Sequence, residues 1–180
     1  TPTWFFFYTP FKRATDDMIK LGKISLHTPV FQSPMADCTN TAFRLTARSL
    51  GLEMAFTEMV SAEALARGNR RTFPLLRRVP EDTPLGAQLV GHDPLSMGRA
   101  AAVIEALGFE VLDINCGCPV RKVTAPGAGS ALLQTPDLAK KIFQSVRMNV
   151  SKIPVTVKMR IGFTDASGNE ALQLARIAED

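Results

Sequence analysis

Five short apolar segments, each followed by a stretch of helical periodicity, constrain this chain more than any other feature. The apolar segments fall at residues 30–33, 52–57, 85–90, 111–115 and 154–159. The helical stretches fall at 40–50, 61–66, 94–107, 135–150 and 170–179. Strands that are apolar on both faces and alternate with amphipathic helices belong to a parallel sheet covered by helices. Helix boundaries carry their own signals. Gly51 suits a left-handed cap, and Asp93 precedes Pro94 as N-cap before first helical position. A second start of the same type is expected at Thr135-Pro136-Asp137.

Such a repeat fits either an open doubly wound sheet or a (β/α)₈ barrel. A nucleotide-binding doubly wound sheet calls for G-x-G-x-x-G after its first strand, and this chain has none. Polar groups instead gather at the ends of several strands: Met35, Glu58, Gln88, Asn115 with Cys118, and Lys158 with Arg160. Groups spread over many strand ends are what the upper face of a barrel supplies. The expected fold is therefore α/β, a TIM (β/α)₈ barrel truncated to about its first five βα units. A barrel typically takes about 250 residues, and this chain has 180. Its first residue is Thr, not Met, which adds to the expectation of a piece of a longer protein. Residues 1–20 hold six of the thirteen aromatics and are expected to form an extension outside the repeat, with the domain proper at 21–180.

Composition excludes several classes. With 46% hydrophobic and 21% charged residues, the chain is globular and not disordered. No run of about eighteen apolar residues exists, so no membrane-spanning helix and no membrane partner are expected. The aromatic cluster at Trp4–Tyr8 lacks a basic leader, so no secretory signal is expected. Cys38, Cys116 and Cys118 are an odd set that cannot all pair, which speaks against a secreted disulfide framework. C-x-C without a second ligand pair, and with only His27 and His92, gives no metal site. A cytoplasmic protein, or an organellar one whose leader has been removed, is expected. The net charge of +4 is compatible with a nucleic-acid partner without proving one. Arg67, Arg70, Arg71, Arg77 and Arg78 crowd one stretch that could equally be a solvated loop.

The strongest local signal is Asp113-Ile114-Asn115-Cys116-Gly117-Cys118-Pro119. A thiol just past a strand, between Gly and Pro, sits in a tight turn. A free thiol has a pKa of about 8.5, keeps its proton near neutrality, and can act as acid or nucleophile. Cys118 lies farther out than Cys116, although both would share one side if the segment stayed extended. Lys158 and Arg160 alternate on their strand and face one side, with Val155, Val157 and Met159 expected to bury the other. Gln88 can donate to and accept from the edge of a flat heterocycle.

Taken together, these residues resemble the tRNA-dihydrouridine synthases. The resemblance runs through Ser33-Pro34-Met35-Ala36-Asp37 with Thr39 and Phe43-Arg44, then Thr57-Glu58-Met59-Val60-Ser61. It continues through Gln88-Leu89-Val90-Gly91 with Asp93-Pro94, the run at 113–119, and Pro154-Val155-Thr156-Val157-Lys158-Met159-Arg160 with Gly162. It covers the chain from about residue 23 to Asp180. A partial FMN-binding barrel is what the resemblance implies, with FMN as cofactor, NADPH as reductant and tRNA as partner. It implies an oxidoreductase that converts uridine to 5,6-dihydrouridine and is a monomer when complete. Pro34, Met35 and Ala36 would line the flavin, Gln88 would hydrogen-bond it, and Lys158 would lie at its N1/O2 edge. Asn115 and Arg160 would orient the uracil, and Cys118 would be the general acid. Arg70, Arg71, Arg77, Arg78, Arg121 and Lys122 would meet phosphates. Cys116 departs from the apolar residue usual at its position. An FMN barrel acting on a free pyrimidine, similar to dihydroorotate dehydrogenase, and a non-catalytic RNA-binding scaffold are the competing readings.

Overall fold

A computed structural model describes residues 18–179. Four parallel strands form the sheet in strict chain order: β3 (Ala55–Ser61), β4 (Leu85–Val90), β5 (Val111–Cys116) and β6 (Val155–Met159). They are preceded by an antiparallel hairpin of β1 (Ile19–Leu21) and β2 (Ile24–Leu26). The helices are α1 (Thr41–Ser49), α2 (Ala62–Ala66), α3 (Pro94–Ala106), the short α4 (Arg121–Thr124), α5 (Pro136–Asn149) and α6 (Asn169–Glu179). Short 3₁₀ pieces at Phe73–Leu76 and Gly129–Gln134 were not anticipated.

Side chains on a strand alternate between faces, and here the two faces differ in kind. Leu85, Ala87, Leu89, Leu112, Ile114 and Cys116 form one buried core with Leu65 of α2, Met97 and Ile104 of α3, Ile142 and Val146 of α5, and Leu174 of α6. The core helices thus cover one face, so the domain is a singly wound α/β unit rather than a doubly wound one. The opposite face has a buried apolar cluster only at the start of the strands. There Phe56 and Val111 pack with Met54 and with Leu26 of the hairpin, while Leu21 and Ile24 lean on them. Farther along, the same face carries Gln88, Asp113, Asn115 and Thr156, a polar upper layer over an apolar floor.

Gly86 makes that floor possible. A Cβ on Gly86 would overlap two atoms of the Phe56 ring. Overpacking of this kind costs about 1–3 kcal/mol. Gly86→Ala is therefore expected to lower stability by that amount, measured by urea unfolding, and Gly86→Ala with Phe56→Leu should recover part of it.

The helix signals read correctly at Asp93, whose carboxylate accepts from the Ser96 amide at 2.8 Å, and at Gly51, with φ +97° after α1. Two readings need correction. Residues 30–33 do not form a strand: only Phe31 bridges to Met54, in the parallel sense. Pro34 interrupts the ladder, and the Gln32 side chain accepts from the Phe56 amide in its place. The strand expected at 52–57 begins three residues later, at Ala55. The helix start expected at Thr135-Pro136-Asp137 is where α5 begins, with Pro136 its first residue and Asp137 in its first turn, while the Thr135 hydroxyl donates to the Ala131 carbonyl. The extension expected at 1–20 lies outside the described residues up to residue 17, and Ile19 and Lys20 belong to the hairpin.

Candidate functional site at the strand ends

In-register pairing brings the polar layer together. Gln88 is opposite Asp113, Asp113 opposite Thr156, and Asn115 opposite Lys158. A single directional chain of hydrogen bonds follows. Thr156 Oγ1 and Asp113 Oδ1 are 2.6 Å apart, and Gln88 Nε2 donates to Asp113 Oδ2 at 2.6 Å. Asn115 Nδ2 donates to Gln88 Oε1 at 2.8 Å. Asn115 Oδ1 then accepts from the backbone amides of Gly117 at 3.1 Å and Cys118 at 2.9 Å. Gln88, Asp113 and Asn115 are all buried. Burial pushes the Asp113 carboxyl above the ordinary carboxylate range, against the lowering by Gln88, Thr156 and Lys158.

This cap separates the two cysteines of the C-x-C. Cys116 is the last residue of β5 and points into the helix-side core with no exposure. Desolvation, with a smaller contribution from Asp113, pushes its thiol up to about 12. The Asn115 oxygen gathers the Gly117 and Cys118 amides, so the segment turns after Cys116 instead of staying extended, and the two thiols differ in burial. Cys118 is half-buried in the turn beyond the strand. Its carbonyl accepts from the Ser130 amide and hydroxyl, both at 3.0 Å, which ties the turn to the Gly129–Gln134 helix. Gly129 lies against this turn at φ +61°, where a Cβ would collide with the Cys118 carbonyl and with Val123.

Pro34, Met35 and Ala36 form a loop leading toward α1, with Met35 and Ala36 exposed. Thr39 holds it twice, its hydroxyl accepting from the Met35 amide and donating to the Met35 carbonyl. The amide of Asp37, at φ 58°, donates to Glu58 Oε2 at 2.7 Å. An aspartate tolerates that left-handed conformation better than most residues.

Sequence reasoning gave Arg44 a place in a motif but no job. In the structure Arg44 is 2% exposed, and its Nε donates to the fully buried Asp82 at 2.7 Å. Its Nη1 donates to the Thr39 carbonyl at 2.6 Å. Arg48 closes on the other oxygen of Asp82 at 2.7 Å. Thus Asp82, through Arg44 and Thr39, braces the Met35 loop. A polar run between two prolines, Pro80 to Pro84, was the only signal, and it does not identify a partner.

Lys158 and Arg160 are both exposed, Lys158 near the end of β6 and Arg160 past it. Val155, Val157 and Met159 are only half-buried, contrary to expectation, because β6 is paired on one side only among the described residues. Among these residues no carboxylate forms a salt bridge with either cation. Of the proposed phosphate contacts, Arg70, Arg71, Arg77, Arg121 and Lys122 are exposed. Arg78 is committed elsewhere: it pairs with Glu110 at 2.8 Å, donates to the Leu107 carbonyl and lies over the Phe109 ring. A groove of about 1120 Å³ beside Phe143, Val155 and Val157 lies on the helix side, and none of the site residues lines it. Among the described residues no cluster of His, Cys, Asp and Glu suits a metal, and no helix is long and apolar enough to cross a membrane.

Fold and site together define a singly wound α/β domain whose polar and thiol groups collect at the carboxyl ends of parallel strands. A family model described as dihydrouridine synthase (Dus) matches residues 31–180, and the chain belongs to that family. It is 39% identical over 162 residues to a "Probable tRNA-dihydrouridine synthase" of Rickettsia prowazekii, covering 89% of this chain and 49% of the relative. It is 37% identical over 161 residues to "tRNA-dihydrouridine synthase B" of Pasteurella multocida, covering 89% and 48%. A "Probable tRNA-dihydrouridine synthase 1" of Synechocystis is 39% identical over 153 residues, covering 84% and 42%. The chain therefore spans about half the length of these curated relatives.

Proposed function

We propose that this chain is the N-terminal part of the catalytic (β/α)₈ barrel of a tRNA-dihydrouridine synthase. The complete protein reduces the C5=C6 bond of selected uridines in tRNA, with FMN as cofactor and NADPH as reductant. The observation that carries this reading is the Asn115 cap. It holds the Cys118 turn at the end of β5, beside the buried Gln88 and in register with Lys158. A singly wound sheet in strict chain order is also what the first part of a barrel requires.

The residues present fit a flavin. Gln88 offers both a donor and an acceptor, and Lys158 is a cation without a carboxylate partner among the described residues, as an anionic ring edge demands. Pro34, Met35 and Ala36 supply a braced, partly apolar loop for a flat ring system. When bound, reduced FMN supplies the hydride equivalent that adds at uracil C6. Cys118 holds the proton destined for C5, and a neutral thiol does so without placing a charge beside the base beforehand. Asn115 directs an N–H at a uracil carbonyl, and Arg160 adds positive charge where O4 becomes electron-rich. Uracil stacked in folded RNA must be exposed to reach these groups. The exposed Arg70, Arg71, Arg77, Arg121 and Lys122 then meet the phosphates.

The test uses the full-length protein. Visible flavin bands after purification, and dihydrouridine formed in unmodified tRNA on adding NADPH, are the expected results. Turnover of free uracil or orotate but not tRNA would transfer the reading to a free-pyrimidine reductase. Absence of both flavin and product would leave a non-catalytic RNA-binding scaffold. For the phosphate contacts, Arg70→Ala and Arg71→Ala should each lower the log–log salt slope of tRNA binding by about one. Arg78→Ala should leave that slope unchanged, since its guanidinium is held by Glu110 and Leu107.

A further inference from the structure

Asp113 is buried on the polar face, yet no step of the proposed reaction uses it. A carboxylate has no donor of its own, and this fact propagates. Asp113 can face only the NH₂ side of Gln88, so the Gln88 oxygen must turn to Asn115. Asn115 must then present its own NH₂ to Gln88, and its oxygen is left for the amides of Gly117 and Cys118. Reversing either carboxamide would set N–H against N–H at one end and oxygen against oxygen at the other. The second N–H of Asn115 meets only the thioether sulphur of Met59, at 3.7 Å, a weak acceptor. That N–H is the group free to turn to a better acceptor.

We propose that Asp113 is a positioning residue that fixes the direction of the Gln88–Asn115 carboxamides. It thereby keeps the Asn115 oxygen on the Cys118 turn and an Asn115 N–H facing the substrate side. The functional consequence rests on the reading above: an N–H there donates to a carbonyl edge, as in uracil, and disfavours an amino edge, as in cytosine. The relay itself is a property of this chain and needs neither flavin nor RNA.

The test is amide hydrogen exchange of the full-length protein, read by mass spectrometry on peptides spanning Gly117 and Cys118. Asp113→Leu removes the acceptor, and removing a desolvated carboxylate need not itself unfold the chain. Exchange at this turn should quicken by about tenfold or more, while peptides over α3 keep their protection. Asp113→Asn can still accept from Gln88 with its oxygen and donate to Thr156 with its nitrogen, so exchange should return close to the parent rate. Unchanged exchange in Asp113→Leu, or equal acceleration in both variants, would overturn the proposal. Where Asp113→Leu loosens the whole chain, Gln88→Met decides: faster exchange at the turn supports the relay and unchanged exchange sinks it. Failure to form dihydrouridine would strike only the functional reading, because exchange is measured without substrate.

Discussion

Asp82→Ala is expected to destabilise the full-length protein by about 3–5 kcal/mol, the cost of leaving a buried charge without its partner. Asp82 has no exposure and accepts from two arginines, Arg44 at 2.7 Å and Arg48 at 2.7 Å. Water can replace little of what is lost, since Arg44 is 2% and Arg48 11% exposed. Each also holds backbone carbonyls in other segments, Thr39 and Arg77 for Arg44, and Glu53 and Pro84 for Arg48. Loss of Asp82 therefore strands two cations and loosens the four backbone contacts they hold. Urea unfolding measures the effect, and a fall below about 1 kcal/mol would mean that water screens the cluster. Arg44→Lys should not spare the protein, because a single ammonium cannot reproduce the fork that reaches Asp82, Thr39 and Arg77 together. Since Thr39 in turn holds Met35, Asp82→Ala should also weaken flavin retention under the proposed function.

Cys118→Ala is expected to slow single-turnover dihydrouridine formation by about 10²–10⁴-fold, the usual worth of a positioned general acid. Cys116→Ala should change it little. The two residues are two apart in sequence but not in similar surroundings. Cys116 is packed among Leu89, Leu112 and Ile114 in the helix-side core, with its thiol pushed up to about 12. Cys118 sits beyond the strand, on the turn that Asn115 caps. Iodoacetamide on the native protein gives an independent check: Cys118 should be labelled and Cys116 spared until the chain unfolds. Loss of activity in Cys116→Ala with retention in Cys118→Ala would reverse the assignment of the acid.

Much of the fold was legible because it is written in local periodicity and local caps. Residues 85–90 and 111–115 read as doubly buried strands, and Asp93-Pro94 marked a helix start to the residue. The failures have local causes too. Pro34 broke the first ladder, and the second strand was placed early because Leu52 continued its apolar pattern without belonging to it. The hairpin went unread, since each of its strands is three residues long and shows no alternation to count.

The site divided along the same line. By itself the sequence determined that thiol, amide and cationic groups end successive strands, and it singled out Cys118, Gln88, Asn115 and Lys158. Only the tertiary structure decided how those groups are used. Cys116 is packed in the helix-side core, while the Asn115 cap turns the chain beyond it so that Cys118 leaves the strand. Arg78 is withdrawn from the basic stretch by Glu110, 32 positions away, and Arg44 is buried against Asp82, 38 positions away. The direction of the Gln88–Asn115 pair is set by Asp113 across a strand boundary, 25 positions from Gln88. Periodicity records which face a residue takes within its own element. Partnership across elements depends on register and packing, which no local pattern contains.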